Sequence, residues 1–371
     1  MALSGGITGA KAPQHPLEIE AKEHVRSGRM DEALRCFRLL LDDAPTDARL
    51  WGNAALAANE SRNRRVSEIA SRRALILEPA HTHFYFVAVH IAQRSIEARE
   101  RAERFITFGL MLNRDHQKLL IISGILRHQK GDQDGAKEHL SRALQLGAED
   151  ETAKHLLRSI KRENAKTSSD GYVRSLFDGY AEQFKTHLVD RLNYRVPEIA
   201  AGLLEKPLKG TKLEHAIDFG CADGSGAFHF TQLVNQIDGV DLAPKMIDEA
   251  INSGIYRNLY VGNPMQEPQL LTEATYDLAI VLDVMVYVGD PGQLFTCLRR
   301  LMKPKGYVVT SFERISSGFE LQASGRFGHS VQSIQIAAHD HGFEEVMLSD
   351  CPIRLHGERM IPGFLTIHRL A

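Results

Sequence analysis

The chain has 371 residues, with 45 Lys and Arg against 47 Asp and Glu, for a formal charge of −2. Its 43% hydrophobic and 25% charged content is ordinary for a globular protein, and at roughly 100–200 residues per domain the length predicts two or three domains. No run approaches the roughly 18 apolar residues of a membrane span. Met1 to Pro16 lacks the apolar stretch of a secretory signal, and the net charge gives no electrostatic basis for binding nucleic acid. Cys36, Cys221, Cys297 and Cys351 lie far apart without C-x-x-C spacing. That argues against a zinc site or a disulfide framework and predicts a reducing, cytoplasmic setting with no bound metal.

The charge is unevenly divided. Up to Ala165 there are 26 basic and 22 acidic residues, and beyond it 19 and 25. The first part reads as helix almost throughout. The second alternates short apolar runs with helical stretches.

In the first part, Pro45 and Pro79 stand 34 residues apart, and each closes a similar unit. Ala33 and Phe37 share a helical face after the Ser27-Gly28-Arg29 turn. Trp51 opens the next unit and Leu77-Glu78-Pro79 ends it. A later unit has Gly131-Asp132 as its turn, then Ala136, Leu140 and Ala143 on one face. This pattern resembles the tetratricopeptide repeat, in which small residues let paired helices approach and bulky ones fill the hole opposite. Ser67 and Ser71 depart from it, standing where Ala and an aromatic are usual, and the third unit lacks the closing proline. Four repeats are expected over 16–164, the last helix (151–164) acting as a cap, with a flexible 1–15 before them. Such an array implies a groove for a protein or peptide partner. Arg62, Arg64, Arg65, Arg72 and Arg73 offer either a docking surface for an acidic partner or a solvated helix face.

Residues 165–170 read as a polar linker, and 171–371 as a second domain. Its expected elements are a strand at 216–219, a glycine turn at 220–226, a helix at 227–235 and a strand at 239–242. A helix at 245–253 and strands at 258–261 and 276–282 follow, then a helix at 293–302 and a strand at 307–312. This alternation implies a mostly parallel sheet with helices on both faces, and ligands bind such sheets outside the carboxyl ends of the strands.

The turn Asp218-Phe219-Gly220-Cys221-Ala222-Asp223-Gly224-Ser225-Gly226 has its glycines at the wrong spacing for the dinucleotide fingerprint G-x-G-x-x-G. An acidic residue ending the first strand suits a cationic ligand better than a pyrophosphate. The segment resembles the first motif of class I S-adenosylmethionine (SAM)-dependent methyltransferases, an acidic residue followed by G-x-G-x-G. Asp218, Gly220 and Gly224 match, and Ala222 replaces the middle glycine, a change accommodated if the turn is not left-handed there. The resemblance covers about 171–371 and implies a Rossmann-like α/β methyltransferase domain with SAM as cofactor. By it, Asp241 at the end of the second strand holds the ribose hydroxyls. Leu242 and Met246 continue the segment Asp241-Leu242-Ala243-Pro244-Lys245-Met246, Asn263 accepts the adenine amino group through its amide oxygen, and Met265 packs on the adenine. Asp283, at the end of the fourth strand, completes the cofactor set.

A narrower resemblance lies in Phe177-Asp178-Gly179-Tyr180-Ala181-Glu182-Gln183-Phe184 and Tyr194-Arg195-Val196-Pro197, and in Gly325-Arg326-Phe327-Gly328-His329-Ser330. These are similar to bacterial methyltransferases that carry tetratricopeptide repeats. Tyr180 is then placed over the methionine end of SAM as a cation–π partner, or it packs the domain cover. Tyr287 is placed to orient an acceptor, or it packs a loop. His329 is the candidate general base, since its ordinary pKa lies nearest neutrality. Arg326 and Arg354 are surplus cations in an acidic domain, placed to grip a substrate carboxylate or phosphate or to form structural salt bridges. The expected function is methyl transfer to an unidentified acceptor, with the repeats recruiting a protein. The competing reading is a repeat-containing adaptor whose methyltransferase fold has lost turnover.

Overall fold

The computed structural model describes residues 15–92, 99–163, 165–178, 194–356 and 359–371. The chain divides into two compact units, Met1–Glu149 and Asp150–Ala371. Among the described residues no helix is long and apolar enough to cross a membrane.

The first unit is helical: α1 (Pro16–Arg26), α2 (Met30–Asp43), α3 (Ala48–Glu60), α4 (Arg64–Leu77), α5 (Thr82–Ala92), α6 (Arg99–Leu112), α7 (Gln117–Gln129) and α8 (Gln133–Gln145). The turns inside the first, second and fourth helix pairs each carry one left-handed residue at the equivalent place. These are Gly28, Arg62 and Gly131, with φ of 74°, 60° and 83°. Ala33, Ala54, Ala55, Ala70, Ala74, Ala136 and Ala143 are buried at the helix contacts. Gly52 lies so near the Phe84 ring that a Cβ there would come within 2.8 Å of it, so small residues do set the helix spacing. Ser67 and Ser71, which broke the pattern, are buried too. Each satisfies its hydroxyl on its own helix, donating to Arg64 O at 2.9 Å and Glu68 O at 3.1 Å respectively. Arg64 and Arg72 lie mostly in solvent and pair with Glu68.

The second unit is built on a seven-stranded sheet. Its strands are β1 (Leu213–Phe219), β2 (Val234–Asp241), β3 (Tyr256–Val261), β4 (Tyr276–Val281), β5 (Met302–Glu313), β8 (Phe343–Asp350) and β11 (Gly363–Leu370), in the order β3-β2-β1-β4-β5-β11-β8. The two hairpins β6 (Phe319–Leu321) with β7 (Phe327–His329), and β9 (Leu355–His356) with β10 (Arg359–Met360), stand apart from it. The strands β3, β2, β1, β4 and β5 run parallel, and β11 lies antiparallel to both β5 and β8. Side-chain alternation splits the core between the two faces. Ile217, Phe219, Ala279, Val281 and Phe312 pack on one side, and Ala216, Leu278, Ile280, Val309 and Leu365 on the other. The helices are α9 (Glu151–Lys161), α10 (Asp170–Asp178), α11 (Val196–Leu208), α12 (Pro244–Ser253), α13 (Pro291–Leu301) and α14 (Val331–Asp340).

Three expectations change. The helix expected at 227–235 is a single 3₁₀ turn, Ala227–Phe230. β2 begins at Val234, which pairs with Leu213, so strand pairing ends the turn before a second helical turn can form. The helix expected to cap the repeats belongs to the second unit. There His155 hydrogen-bonds Gly325 O at 2.8 Å and stacks on Tyr172 at 3.8 Å between centroids. The expected linker 165–170 is an ordered strap: Thr167 bridges Val288, Ser168 N–H donates to Tyr287 O, and Gly289 N–H donates to Lys166 O, both at 2.9 Å.

Candidate functional site

A cavity of about 600 Å³ opens at the carboxyl ends of β1, β2 and β4, beneath the strap. Its floor is the turn after β1. Gly220 and Gly224 have φ of 67° and 83°, and a Cβ on Gly220 would lie 2.8 Å from Val284 Cγ2, so glycine is required there. Gly220 N–H and Cys221 N–H donate to Val240 O at 2.8 and 3.2 Å, tying the turn to β2. Between the glycines Ala222 has φ of 47°. The turn is left-handed at this residue, so the condition for an unstrained alanine is not met.

Two carboxylates face this turn. Asp241, ending β2, accepts Ala222 N–H at 3.1 Å on one oxygen and Ala243 N–H at 2.8 Å on the other. Each oxygen keeps a lone pair for a further donor. Burial pushes its carboxyl up, and the two N–H groups oppose the shift. Asp218 accepts the Tyr256 hydroxyl at 2.7 Å. Burial pushes Asp218 up to about 7, against the Tyr256 hydrogen bond and helped by Asp241.

Of the remaining expected cofactor residues, Leu242, Asn263, Met265 and Asp283 line the cavity. Met246 does not: it is fully buried beside Ala222, Ala243 and Phe177, because its place on α12 faces α10 and the glycine turn. Asn263 is held at both ends of its amide. Its Oδ1 accepts Met265 N–H at 3.1 Å and its Nδ2 donates to Asp170 at 2.9 Å. Tyr180 lies outside the described residues.

At the other end of the cavity Tyr287, Arg326 and Arg354 come together with Asp283. Arg326 Nη1 lies 3.3 Å from Asp283 and 3.7 Å from Glu313, and its guanidinium sits over the Tyr287 ring at 5.6 Å. Arg354 Nη2 donates to the same Glu313 at 3.2 Å, while its buried Nε has no partner. Burial opposes the charge of Arg326, but Tyr287, Asp283 and Glu313 hold its pKa above the ordinary value. Burial pushes the Tyr287 hydroxyl up, so it stays protonated at neutral pH and donates.

The candidate general base is misplaced. His329 is fully buried between Phe312 and Phe319, its Nε2 is 2.9 Å from Gly289 O, and it does not line the cavity. Burial lowers its pKa to about 4. Arg326, just before β7, reaches the site instead. Sequence reasoning missed Asp170, Tyr256 and Glu313. Glu313 was recoverable, since it ends β5 and carboxyl ends of strands carry ligands. Tyr256 and Asp170 carried no motif.

Residues 217–310 match the family described as "Methyltransferase domain". Among curated relatives, the ubiquinone biosynthesis O-methyltransferase of Shewanella halifaxensis is 24% identical over 41% of this chain and 61% of its own length. Phosphoethanolamine N-methyltransferase 1 of Triticum aestivum is 25% identical over 37% of this chain and 30% of its own. The chain spans between 42% and 61% of the length of the first curated relatives. Among solved structures, the N-methyltransferase NodS of Bradyrhizobium japonicum, in complex with S-adenosylhomocysteine (SAH), shares 17% identity. It covers 53% of this chain and 98% of its own, with a TM-score of 0.43.

The match to a methyltransferase domain falls on the part of the second unit that builds the cavity floor, from β1 to β5. The donor set suits a cationic nucleoside such as SAM: a buried carboxylate with spare lone pairs at the end of β2, a glycine turn the backbone can approach closely, and a second carboxylate for a cation.

Proposed function

We propose that the chain transfers the methyl group of SAM to a small acceptor bearing a carboxylate or phosphate, with the helical unit recruiting a protein partner. The observation that carries this reading is Asp241. Its carboxylate closes β2 inside the cavity and is fixed by two backbone N–H groups, ready to accept a vicinal diol. When bound, SAM supplies an electrophilic methyl carbon already activated by its sulfonium.

The chain's own part is alignment and exclusion of water. The strap across Val288 roofs the site. Tyr287 donates a hydrogen bond to the acceptor, and Arg326 and Arg354, held by the shared Glu313, grip its anionic group. His329 takes no part. The four paired helix hairpins support the tetratricopeptide-like reading, a reducing cytoplasm suits the four free cysteines, and the recruited partner is a protein or peptide.

A second reading has two observations in its favour. Ala222 is left-handed, and the Asn263 amide already bonds Met265 and Asp170. On this reading the chain is an adaptor that binds SAM weakly or does not turn it over. Calorimetry with SAM and SAH separates the two, followed by transfer of labelled methyl to lysate fractions. Binding and labelling support the enzyme, binding without labelling supports the adaptor, and no binding of either ligand at millimolar concentration refutes both. Asp241→Ala is expected to weaken SAH roughly tenfold or more by removing charge-assisted hydrogen bonds.

A further inference from the structure

The cavity has an end that the glycine turn does not reach. Asp241 closes β2, and the chain leaving the adjacent strand β3 at Val261 brings Asn263 and Met265 to the cavity wall beyond it. A nucleoside whose ribose sits on Asp241 therefore places its base against Asn263. A neutral amide there has one acceptor to offer. That oxygen already takes Met265 N–H at 3.1 Å, which leaves it one uncharged lone pair, and the amide nitrogen donates to Asp170 at 2.9 Å. Asn263 is oriented from both ends.

Asp170 is the stronger acceptor beside it, because its carboxylate is charged. It opens α10 at the end of the strap and lines the same cavity. One oxygen accepts from Asn263 and, at 3.4 Å, from Gln266. The other has no hydrogen-bond partner among the described residues. A carboxylate with a vacant oxygen at the base end of a nucleoside site is an acceptor for an exocyclic amino group, and it repels a ring carbonyl in the same place. The strap holds it there through Ser168 N–H on Tyr287 O, and the next residue is anchored by Ser169 Oγ on Glu151 at 2.7 Å.

We propose that Asp170 is the residue that reads the adenine amino group of the cofactor, in place of Asn263, and so sets selectivity for adenosine over inosine. The proposal rests on the reading of this cavity as the SAM site. It lies before residues 217–310, so the base is recognised by a segment outside the matched domain.

The test is calorimetry of the full chain with SAH and with S-inosylhomocysteine, in which a carbonyl replaces the amino group. The wild type is expected to prefer SAH by roughly tenfold or more, as for a charge-assisted hydrogen bond. Asp170→Asn is expected to lose most of that preference, since an amide donates to the carbonyl. Asp170→Asn with Asn263→Asp is expected to regain it. Equal weakening of both ligands in Asp170→Asn, or an unchanged preference, overturns the proposal; the first result assigns Asp170 to holding the strap. If the wild type binds neither ligand, the SAM reading itself has failed. Thermal denaturation of each variant separates these outcomes from misfolding.

Discussion

Ala222 N–H and the Asp241 carboxylate lie 3.1 Å apart, and this hydrogen bond adds a side-chain tie to the two backbone bonds that join the turn after β1 to the end of β2. It holds an L-residue at φ of 47°, so the site is shaped by a strained backbone and a buried charge that support each other.

Ala222→Gly should therefore stabilise the protein. Left-handed backbone costs an L-residue ~1–2 kcal/mol, and glycine returns ~0.4–1 kcal/mol of this through unfolded-chain entropy. A net gain of about 0.5–1 kcal/mol is expected in urea denaturation, with SAH affinity held or improved. A loss of stability would mean that the methyl packing on Met246 outweighs the strain.

Asp218 predicts a pH-dependent choice between SAM and SAH. Its folded value is about 7 against an ordinary 3.8. The native state thus keeps a proton that the unfolded chain releases, and this stabilising contribution is full below about pH 4 and lost as pH rises through 7. Ionised Asp218 attracts the sulfonium of SAM, and SAH lacks that charge. From pH 6 to 8 the SAM-over-SAH affinity ratio should rise roughly threefold to tenfold. Tyr256→Phe removes the hydrogen bond that favours the charged form and should move the midpoint upward. A ratio that is flat with pH would place the sulfonium away from Asp218.

His329 has the opposite sign. Its folded pKa of about 4 lies below the ordinary 6.5, so the unfolded chain binds the extra proton. The stability it contributes is complete above 6.5 and falls away as pH drops towards 4, by roughly 3 kcal/mol at most. His329→Gln should flatten that acid limb of the denaturation curve. It should leave the pH profile of methyl transfer near neutrality unmoved, whereas a general base would shift it.

The two compact units set where the chain can be cut. Deleting residues 1–149 should leave SAH binding intact, because α9 and its His155 contacts to Gly325 and Tyr172 stay in place. Deleting 1–165 removes α9 and should lower the melting temperature by several degrees, as the loss of ~1–2 kcal/mol does for a domain of this size. Equal melting temperatures for the two truncations would deny α9 its part in the second unit.

Most of the sheet was legible because buried parallel strands are short apolar runs, and β1, β3 and β4 lie within a few residues of their expected places. The helix after the glycine turn was not. Its residues have helical character, but Val234 is claimed by pairing with β1, a long-range contact with no local signature. The strap was read as a linker for the same reason, since polar residues paired on one edge with Val288 look like solvent-facing chain.

The residues at the site divide in the same way. Asp218, Gly220, Gly224 and Asp241 are fixed by local geometry: a tight turn after a strand, and an acidic residue closing the next one, write themselves into adjacent positions. Whether Arg326 or His329 enters the cavity depends on which side of one short strand faces the core, and whether Asp170 meets Asn263 depends on a strap folding back across 93 residues of chain. The local pattern of residues carries the likeness to a methyltransferase domain and the glycine turn that floors the cavity. Only the tertiary structure decided which distant side chains complete the cavity, because those contacts are made by the fold and not by neighbours along the chain.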